Sequence, residues 1–383
     1  MIRRQSSRNA GSRLIVAASE KDANLLYATR FFAPDPFIYF TSRGKSFLVM
    51  SDLEIDRARK QARVNNILSL SDVMRSMRKS QSKTFGTPAI LAELFTRRRI
   101  QTVEIPWDFP TEFADQLRKV GFQLKISAGD FFPERQIKTS EEIRAIQKAQ
   151  QVAEAGMHEG IELIRRARIA SSGFLVLEGS KLTSERVKYR IAETILREGH
   201  IATHTIVSGG RQACDPHEEG HGPLRAHQPI ILDIFPRSQQ TGYWGDITRT
   251  VIKGRISETL ARLYETVLEG QKTALEEIKE GVGGNLIHQS VANLFMNRGF
   301  KTGRRKGRME GFFHGTGHGV GLEIHELPRL STGASSPLKA GHIVTVEPGL
   351  YYPELGGVRI EDLVLVTKGG YRNLTRFPKI FKV

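Results

Sequence analysis

The feature that most constrains this chain is a carboxylate placed inside an apolar, strand-like segment. Asp233 interrupts residues 230–235, where every other side chain is apolar, and such a continuous run is typical of a strand buried on both faces. An isolated charge in that setting would cost several kcal/mol, so Asp233 must be paired, protonated or bound to a cation. The fold must therefore bring a compensating group to this strand.

A second acid lies within reach of the first. Asp246 opens the next strand-like segment, residues 246–252, and stands 13 positions after Asp233 across a turn-rich loop. A hairpin of that size can bring both carboxylates to one spot. Two facing carboxylates repel each other strongly, so they either share a proton or hold a cation.

The C-terminal part of the chain repeats this arrangement. Glu347 closes the strand-like segment 342–347, and Glu361 lies inside the segment 358–366, 14 positions later and across a glycine-containing turn. Two strand pairs therefore carry two acids each. Four carboxylates balance the charge of two divalent cations.

A glycine-rich segment between the two acid pairs supplies imidazoles. His314, His318 and His325 lie in or beside it, and glycines at alternate positions over 315–321 exclude a helix and let the backbone pass close to a ligand. His217 lies in the loop that leads to the Asp233 strand. Taken singly, such residues are more often structural than functional. Together they favour a dinuclear metal site.

The rest of the pattern predicts two mixed α/β domains, residues 1–137 and 138–383. Thr139 and Glu142 form a capping-box pattern at the start of a long amphipathic helix that extends to about residue 166. The N-terminal domain contains no cluster of histidines, cysteines or paired acids. The remaining periodicities predict strands over 14–18, 37–40 and 46–50 and helices over 56–63, 111–120, 183–199, 257–281 and 284–299.

The chain is strongly basic, and its hydropathy excludes a membrane-spanning protein. The chain has 57 Lys and Arg against 41 Asp and Glu, a net charge of +16, and no apolar stretch approaches the ~18 residues that a membrane span needs. The basic excess is dense only over 97–99 and 301–308. We interpret both runs as solvated faces and not as polyanion patches, because no aromatic residues are interleaved with them.

The single cysteine and the N-terminal sequence bear on the cellular compartment of the protein. Cys214 cannot form an internal disulfide, and we predict that it is a small buried residue and not a nucleophile. The first 13 residues contain four arginines and no acid, which faintly resembles a transit peptide. Because a strand already follows at residue 14, we expect the cytoplasm.

Four motifs, over 242–250, 314–326, 346–351 and 356–362, together resemble the signature of the creatinase/methionine-aminopeptidase superfamily, and most of all its Xaa-Pro aminopeptidase and prolidase branch. The resemblance implies an α/β (α+β) fold. Its C-terminal part would be a pita-bread metallopeptidase catalytic domain over 138–383. A smaller creatinase-type α/β domain would occupy 1–137, where 24–31 and 52–57 resemble that module.

The resemblance also implies the metal ligands, which are Asp233, Asp246, His318, Glu347 and Glu361. Asp246 and Glu361 would bridge two divalent ions. Asp233 would complete one ion, and His318 with Glu347 would complete the other. Oxygen ligands with one imidazole suit manganese, cobalt, zinc or iron, and manganese is the first expectation.

In this branch a metal-bridging hydroxide attacks the scissile carbonyl. The resemblance implies five catalytic residues, which are His217, His314, His325, Glu347 and Arg359. Glu347 would handle the proton of the water, and His217 would stabilise the tetrahedral intermediate. The other two histidines would face the substrate, and Arg359 would order the Glu361 carboxylate.

The implied activity is that of a metal-dependent peptidase hydrolysing Xaa-Pro bonds, either an aminopeptidase P-like enzyme or an Xaa-Pro dipeptidase. Its substrate would be a peptide with proline after the first residue, and it would be a homodimer that needs neither membrane nor nucleic acid. One alternative is a metal-free, creatinase-like amidinohydrolase, although such enzymes lack this ligand set. Another is a non-catalytic pita-bread module that binds protein or nucleic acid, which would not need the ligands. Residues 234–236 replace a glycine common in the branch, which leaves the proline specificity open.

Overall fold

A computed structural model describes residues 11–79 and 86–383. The chain divides into two units, Met1–Pro133 and Glu134–Val383, so the first unit ends a little before the predicted domain boundary at 137. Most of the arginine-rich start that resembles a transit peptide lies outside the described residues. None of the helices described is both long enough and apolar enough to cross a membrane.

The first unit is built on a six-stranded sheet. Its strands are β1 (Ser12–Ala17), β2 (Phe37–Ser42), β3 (Lys45–Met50), β4 (Asn66–Ser69), β5 (Thr102–Ile105) and β6 (Gln123–Ile126), in the order β4-β3-β2-β1-β5-β6. Its helices are α1 (Ala23–Thr29), α2 (Ile55–Gln61), α3 (Leu70–Lys79), α4 (Thr87–Arg98) and α5 (Thr111–Lys119). The three predicted strands of this unit and its two predicted helices are confirmed to within a few residues.

Helices cover both faces of this sheet. Leu14 and Val16 pack into the apolar cluster that includes Leu91 of α4, whereas Ile15 packs into a separate cluster with Leu25 of α1. Successive side chains of a strand point to opposite faces. A strand buried on both faces therefore reads as a continuous apolar run, which is why β1 shows no alternation.

A two-residue turn joins β2 to β3. Arg43 and Gly44 have φ of 49° and 75°, which are left-handed conformations, and Ser42 pairs with Lys45 across the hairpin. Two consecutive left-handed residues are what a twisted two-residue hairpin requires, and glycine reaches this region without strain. The strands predicted over 37–40 and 46–50 are thus joined by a tight turn.

The second unit has four long helices and many short strands. The helices are α6 (Ser140–Arg166), α7 (Ser184–Arg197), α8 (Glu258–Glu277) and α9 (Gly284–Asn297). The strands are β7 (Arg168–Ile169), β8 (Leu175–Leu177), β9 (Ser180–Lys181), β10 (His200–Ile201), β11 (Ile206–Gly209), β12 (Pro229–Ile234), β13 (Arg237–Ser238), β14 (Ile247–Ile252), β15 (Gly303–Arg305), β16 (Arg308–Glu310), β17 (Gly317–Gly319), β18 (Glu326–Leu330), β19 (Ile343–Val346), β20 (Gly349–Tyr352), β21 (Gly356–Arg359), β22 (Asp362–Val366) and β23 (Tyr371–Asn373).

The start of α6 follows the predicted capping box. The Thr139 hydroxyl accepts a hydrogen bond from the Glu142 amide (3.3 Å), and the Thr139 amide donates to the Glu142 carboxylate (2.8 Å). Two amides that the first helical turn leaves without helical partners are thereby satisfied. The buried face of the helix then places Val152, Ala153 and Met157 in the apolar cluster that also contains residues of β12 and β14.

Two sheets of the second unit position the predicted site. One has the order β11-β12-β14, and the other has the order β18-β17-β19-β22-β23. Helices α6 and α7 share an apolar cluster with the first sheet, and α8 and α9 share one with the second. The Glu361 amide donates to the Thr248 carbonyl (3.0 Å) and so links the two.

The prediction of one continuous strand over 358–366 is wrong. The segment forms β21, which pairs with β20, and β22, which pairs with β19 and β23. The chain leaves one sheet for another between Arg359 and Asp362. Glu361 lies at this crossing, so its amide bonds to Thr248 and not to a neighbouring strand of either ladder.

Candidate metal centre

Three of the predicted ligands form one buried group. Single ligand atoms of Asp246, His318 and Glu361 all lie within 4.8 Å of one another. The three side chains are between 2% and 6% exposed. Glu347 adjoins this group, because its Oε1 lies 3.3 Å from the His318 Nε2, which is itself 3.7 Å from the Asp246 Oδ2.

The strand registers explain this convergence. Asp246 precedes the first residue of β14, and Glu347 follows the last residue of β19. Val346 pairs with Asp362 across β19 and β22, which brings Glu347 beside Glu361. The two acid pairs predicted from spacing therefore meet, at the ends of strands and not in their middles.

Asp233 lies at the edge of the same group. It pairs with Thr248 across β12 and β14, and its Oδ2 accepts a hydrogen bond from the Arg359 Nη2 (2.7 Å). Its Oδ1 is buried, and among the described residues no donor lies within hydrogen-bond distance of it. A buried carboxylate oxygen without a donor is costly, and a bound cation would satisfy it.

The carboxylates raise one another's pKa values. Burial, with the charges of Glu361 and Asp233, raises the pKa of Asp246 well above its ordinary value. Burial also raises the pKa of Glu361, together with the charges of Glu347 and Asp233, and it raises the pKa of Glu347 to about 7. Four acids this close cannot all be ionised without positive charge between them. The donor set therefore fits divalent cations.

His318 is oriented with one nitrogen toward the acids. Its Nδ1 lies 3.2 Å from the Gly319 carbonyl oxygen, which can only accept, so Nδ1 carries the proton and Nε2 keeps its lone pair. Burial lowers the pKa of His318 to about 3, which keeps the ring neutral as a metal ligand requires. A Cβ at Gly317 would overlap the Thr345 carbonyl, so glycine permits this close approach of strands.

Arg359, Tyr351 and His314 form a buried chain of hydrogen bonds. The Arg359 Nη1 donates to the Tyr351 hydroxyl (2.9 Å), and that hydroxyl donates to the His314 Nε2 (2.9 Å). The His314 Nδ1 donates to the Gly315 carbonyl (2.7 Å). Burial and the Arg359 charge lower the pKa of His314 to about 3. The ring is therefore neutral, with both nitrogens engaged.

Arg359 binds Asp233 directly and reaches Glu361 only through the Thr248 hydroxyl. The resemblance implied that this guanidinium orders Glu361, but in the structure it binds Asp233. The Glu361 carboxylate instead accepts a hydrogen bond from the Thr248 hydroxyl (2.8 Å). The Arg359 Nε donates to that same hydroxyl (3.4 Å), and its terminal nitrogens also donate to Tyr351 and the Pro216 carbonyl.

The two remaining predicted histidines are exposed residues near the buried group. The ring centroids of His325 and His318 lie 4.4 Å apart, and their planes are nearly perpendicular at 89°. His217 follows Pro216, whose carbonyl accepts from Arg359 (3.3 Å). Partial burial lowers the pKa of His325, and the nearby His217 acts in the same direction. Both imidazoles can therefore meet a molecule that enters from solvent.

Three polar residues that support the ligands were not singled out from the sequence. Gln150 of α6 accepts from the Asp246 amide (2.7 Å) and donates to its carbonyl (2.9 Å). Thr248 and Thr345 each lie two positions from an acid of the site, and residues at that spacing share one face of a strand. That spacing was an available signal for the threonines, whereas nothing local marks Gln150.

Cys214 takes no part in this group. It is buried, as predicted. Burial raises the pKa of its thiol to about 11, so it stays protonated at neutral pH. A protonated thiol is a poor nucleophile.

Comparison with known proteins identifies the family to which this chain belongs. A sequence model of metallopeptidase family M24 matches residues 144–368, which is more than half of the chain and includes every predicted metal ligand. The chain belongs to metallopeptidase family M24. It is therefore a metallopeptidase by descent, and its family implies divalent metal ions.

Sequence relatives of this M24 chain include two Xaa-Pro dipeptidases. It is 31% identical over 280 residues to the Xaa-Pro dipeptidase of Pyrococcus horikoshii, covering 72% of this chain and 74% of that protein. It is 34% identical over 243 residues to the Xaa-Pro dipeptidase of Pyrococcus furiosus, covering 63% and 64%.

Solved structures confirm the predicted fold of this M24 chain. The prolidase from Pyrococcus furiosus superposes with a TM-score of 0.77 at 25% identity, over 96% of this chain and 97% of that one. The X-Pro aminopeptidase from Thermotoga maritima superposes with a TM-score of 0.80 at 23% identity, over 97% of both chains, and this second likeness concerns the fold alone. The M24 chain has a pita-bread metallopeptidase domain preceded by a smaller α/β domain.

Proposed function

We propose that this M24 chain is a metal-dependent peptidase that hydrolyses the bond between an N-terminal residue and a following proline. The observation that carries the proposal is the buried convergence of Asp246, His318 and Glu361 at separations that suit a shared cation. The names of the relatives, Xaa-Pro dipeptidase and prolidase, supply the substrate class.

We assign the ligand set to Asp233, Asp246, His318, Glu347 and Glu361, with manganese as the first candidate and cobalt, zinc or iron as the others. Two divalent ions, when bound, would make a water molecule acidic and polarise the scissile carbonyl. The donor-free Oδ1 of Asp233 and the lone pair of the His318 Nε2 support this assignment.

The chain's own groups would then handle protons and position the peptide. Glu347 would take the proton of the attacking water at its carboxylate, close to the scissile bond. His217 and His325 lie in exposed positions from which they can donate to the carbonyl oxygen and contact the residues beside it. Arg359 would fix the Asp233 carboxylate, and through Tyr351 it would also fix the substrate-side ring of His314.

The finer details stay predictions. Substrate length, which separates an aminopeptidase from a dipeptidase, depends on the loops around the site, and so does the strictness of the proline requirement. The homodimer and the cytoplasmic location also stay predictions from the sequence.

The test is metal reconstitution with matched variants. The protein is stripped with a chelator, manganese, cobalt or zinc is added back in turn, and Xaa-Pro dipeptides are assayed beside longer Xaa-Pro peptides. We expect activity only after metal is added. His318→Ala and Asp246→Asn should each lower kcat/KM by more than about a hundredfold, because even the outer partners of a metal ligand are worth about 10–100-fold.

His204→Ala is the control for the histidine variant. His204 is an exposed imidazole paired with Glu219 (2.7 Å) outside the site, so its loss should leave kcat/KM nearly unchanged. Full activity of the stripped protein, or an active Asp246→Asn variant without metal, would contradict the proposal.

A further inference from the structure

A strongly basic cavity lies within the first unit. Its volume is about 570 Å³, and five of its lining residues are cations: Arg43, Lys45, Arg97, Arg98 and Arg99. Sites for small ligands commonly have volumes of roughly 300–1,000 Å³. No acid lines this cavity. It lies within the first unit, whereas all the proposed metal ligands belong to the second.

Two segments that are far apart in the chain bring these cations together. Arg43 occupies the left-handed turn between β2 and β3, and Lys45 begins β3. Arg97 and Arg98 form the last turn of α4, and Arg99 ends the helix in a left-handed conformation with φ of 56°. Basic residues at a helix C-terminus stabilise the helix dipole. That effect does not account for the two cations of the hairpin.

Four of the five cations have no acidic partner. Arg97 pairs with Glu93, but in the described ranges 11–79 and 86–383 no carboxylate lies within 4.0 Å of Arg43, Lys45, Arg98 or Arg99. The remaining stretches, 1–10 and 80–85, contain no Asp or Glu. No acid of this chain therefore neutralises them.

Other surface arginines of this unit behave differently. Arg59, Arg75 and Arg118 each form an ion pair with an aspartate three residues before them on the same helix. The cations of the cavity differ from this pattern, since like charges converge without compensation. A ligand with several negative charges would supply the missing compensation.

Arg98 is held in place at the centre of this group. Its guanidinium lies 4.8 Å from the ring centroid of Phe47 and 5.3 Å from that of Phe40, and its Nη1 donates to the Leu94 carbonyl (3.2 Å). Burial and the neighbouring Arg97 lower the pKa of Arg98. A guanidinium fixed by packing loses less entropy when it binds an anion and can bind phosphate through two N–H groups.

We propose that this cavity binds a small anion that carries several phosphate groups, such as the phosphate chain of a nucleoside triphosphate or of an inorganic polyphosphate. The limited volume of the site, about 570 Å³, favours such a ligand over a long polymer. Nucleic-acid sites also offer open aromatic faces to the bases. Here Phe47 offers no such open face, because it is stacked on Phe40, with centroids 4.8 Å apart and planes at 5°. Arg98 lies over the Phe47 ring as well.

The test measures binding of tripolyphosphate to the 383-residue chain by calorimetry at low salt. A chelator is present so that no metal ion binds the probe. We expect one tripolyphosphate per chain and an affinity at least about tenfold weaker for Arg43→Gln/Lys45→Gln, which removes two charge-assisted contacts. Arg98→Lys keeps the charge but loses the planar fork, so it should also weaken binding several-fold.

The chain provides a matched control in another hairpin. Lys306, Gly307 and Arg308 repeat the basic–Gly–basic turn of residues 43–45, and Lys306 has φ of 48° where Arg43 has 49°. Lys306→Gln/Arg308→Gln therefore removes the same charge from the same kind of turn. Its affinity for tripolyphosphate should stay within about twofold of the wild-type value, and thermal unfolding checks that all variants are folded.

The outcomes separate the possible sources of binding. Equal affinity for ATP and tripolyphosphate supports recognition of the phosphate chain in a nucleotide, and binding of tripolyphosphate alone supports an inorganic chain. An equal loss in both double variants would mean that only net charge matters, and no binding by the wild type at low salt would mean that the cavity is merely solvated. Tighter binding of a single-stranded RNA without terminal phosphates would assign the site to nucleic acid. Each of these last three results overturns the proposal.

Discussion

Asp233 joins the buried acids to a second group of hydrogen bonds. One of its oxygens accepts from Arg359, and the other is buried with no donor among the residues that the structure describes. Its importance could be predicted from the sequence, because a lone acid in an apolar run is costly wherever the strand packs. The direct bond of Arg359 to Asp233, with Thr248 between Arg359 and Glu361, could not be predicted, because it depends on how β12, β14 and β21 pack together.

The role of Tyr351 can be tested by removing a single atom, its hydroxyl oxygen. Tyr351→Phe removes the hydroxyl that accepts from Arg359 and donates to His314. Leaving two buried groups unpaired should cost about 1–3 kcal/mol of unfolding free energy. We expect kcat/KM to fall about tenfold, equivalent to about 1.4 kcal/mol, while metal affinity is nearly unchanged because Tyr351 is not a proposed ligand.

Tyr352→Phe is the control for this variant. Its hydroxyl donates to the Lys301 carbonyl (2.9 Å) and makes no contact with Arg359. Steady-state kinetics with denaturant unfolding separate the two effects. If Tyr351→Phe loses metal in titration, or if both variants lose the same activity, the proposed positioning role is wrong.

At the scale of elements, strands and helices that local sequence patterns mark could be predicted. The points where the chain passes from one sheet to another could not. The capping residue Thr139 marks the start of α6, as predicted, and Ser257 caps α8 within the helix predicted over 257–281. The break between β21 and β22 has no such mark, because Glu361 sits in an apolar run that is compatible with one continuous strand. The crossing depends on pairing with β19 and β20, which local sequence does not encode.

The start of α6 offers a quantitative test of the capping box. Thr139→Ala should lower the unfolding free energy by about 1 kcal/mol, the usual value of a helix N-cap, and Thr139→Ser should restore it. Glu142→Ala should cost more, because the Glu142 carboxylate also accepts from the buried Tyr243 hydroxyl (2.7 Å). Chemical denaturation measures all three. An equal cost for the two alanine variants would show that the Tyr243 contact contributes nothing.

At the scale of the whole molecule, the two units carry different chemistry. The proposed metal ligands belong to the second unit, where spacing and residue type already pointed to a shared site. In the first unit, residues 97–99 were interpreted as a solvated face. That interpretation could not anticipate the cavity, because the hairpin that supplies Arg43 and Lys45 is distant in sequence and contributes only in the folded unit.

The crowded acids predict an unusual stability change. In metal-free protein, Asp246→Asn removes one of the repelling carboxylates, so this inactive variant should unfold at a higher temperature than the wild type. Folding raises the pKa of Asp246 and Glu361, so their cost to stability is absent below the ordinary pKa of about 4 and grows as the pH rises. The difference should therefore be larger at pH 8 than at pH 5.

Added metal should reverse this order. Manganese at about 100 times its dissociation constant should stabilise the wild type by about 2.7 kcal/mol and leave Asp246→Asn nearly unaffected. Calorimetry with and without a chelator measures both. A metal-free variant less stable than the metal-free wild type would mean that the acids do not repel each other in the folded chain.

Because Glu361 lies where the chain crosses between sheets, metal binding should be coupled to local opening of the structure at this point. Its carboxylate faces the site, while its amide holds the Thr248 carbonyl across the seam between two ladders. With Glu361 as the proposed ligand, a fluctuation that separates the strands here would pull its carboxylate away from the ions, and bound ions would oppose that separation. We therefore expect amide hydrogen exchange on both sides of this contact to slow when metal is bound.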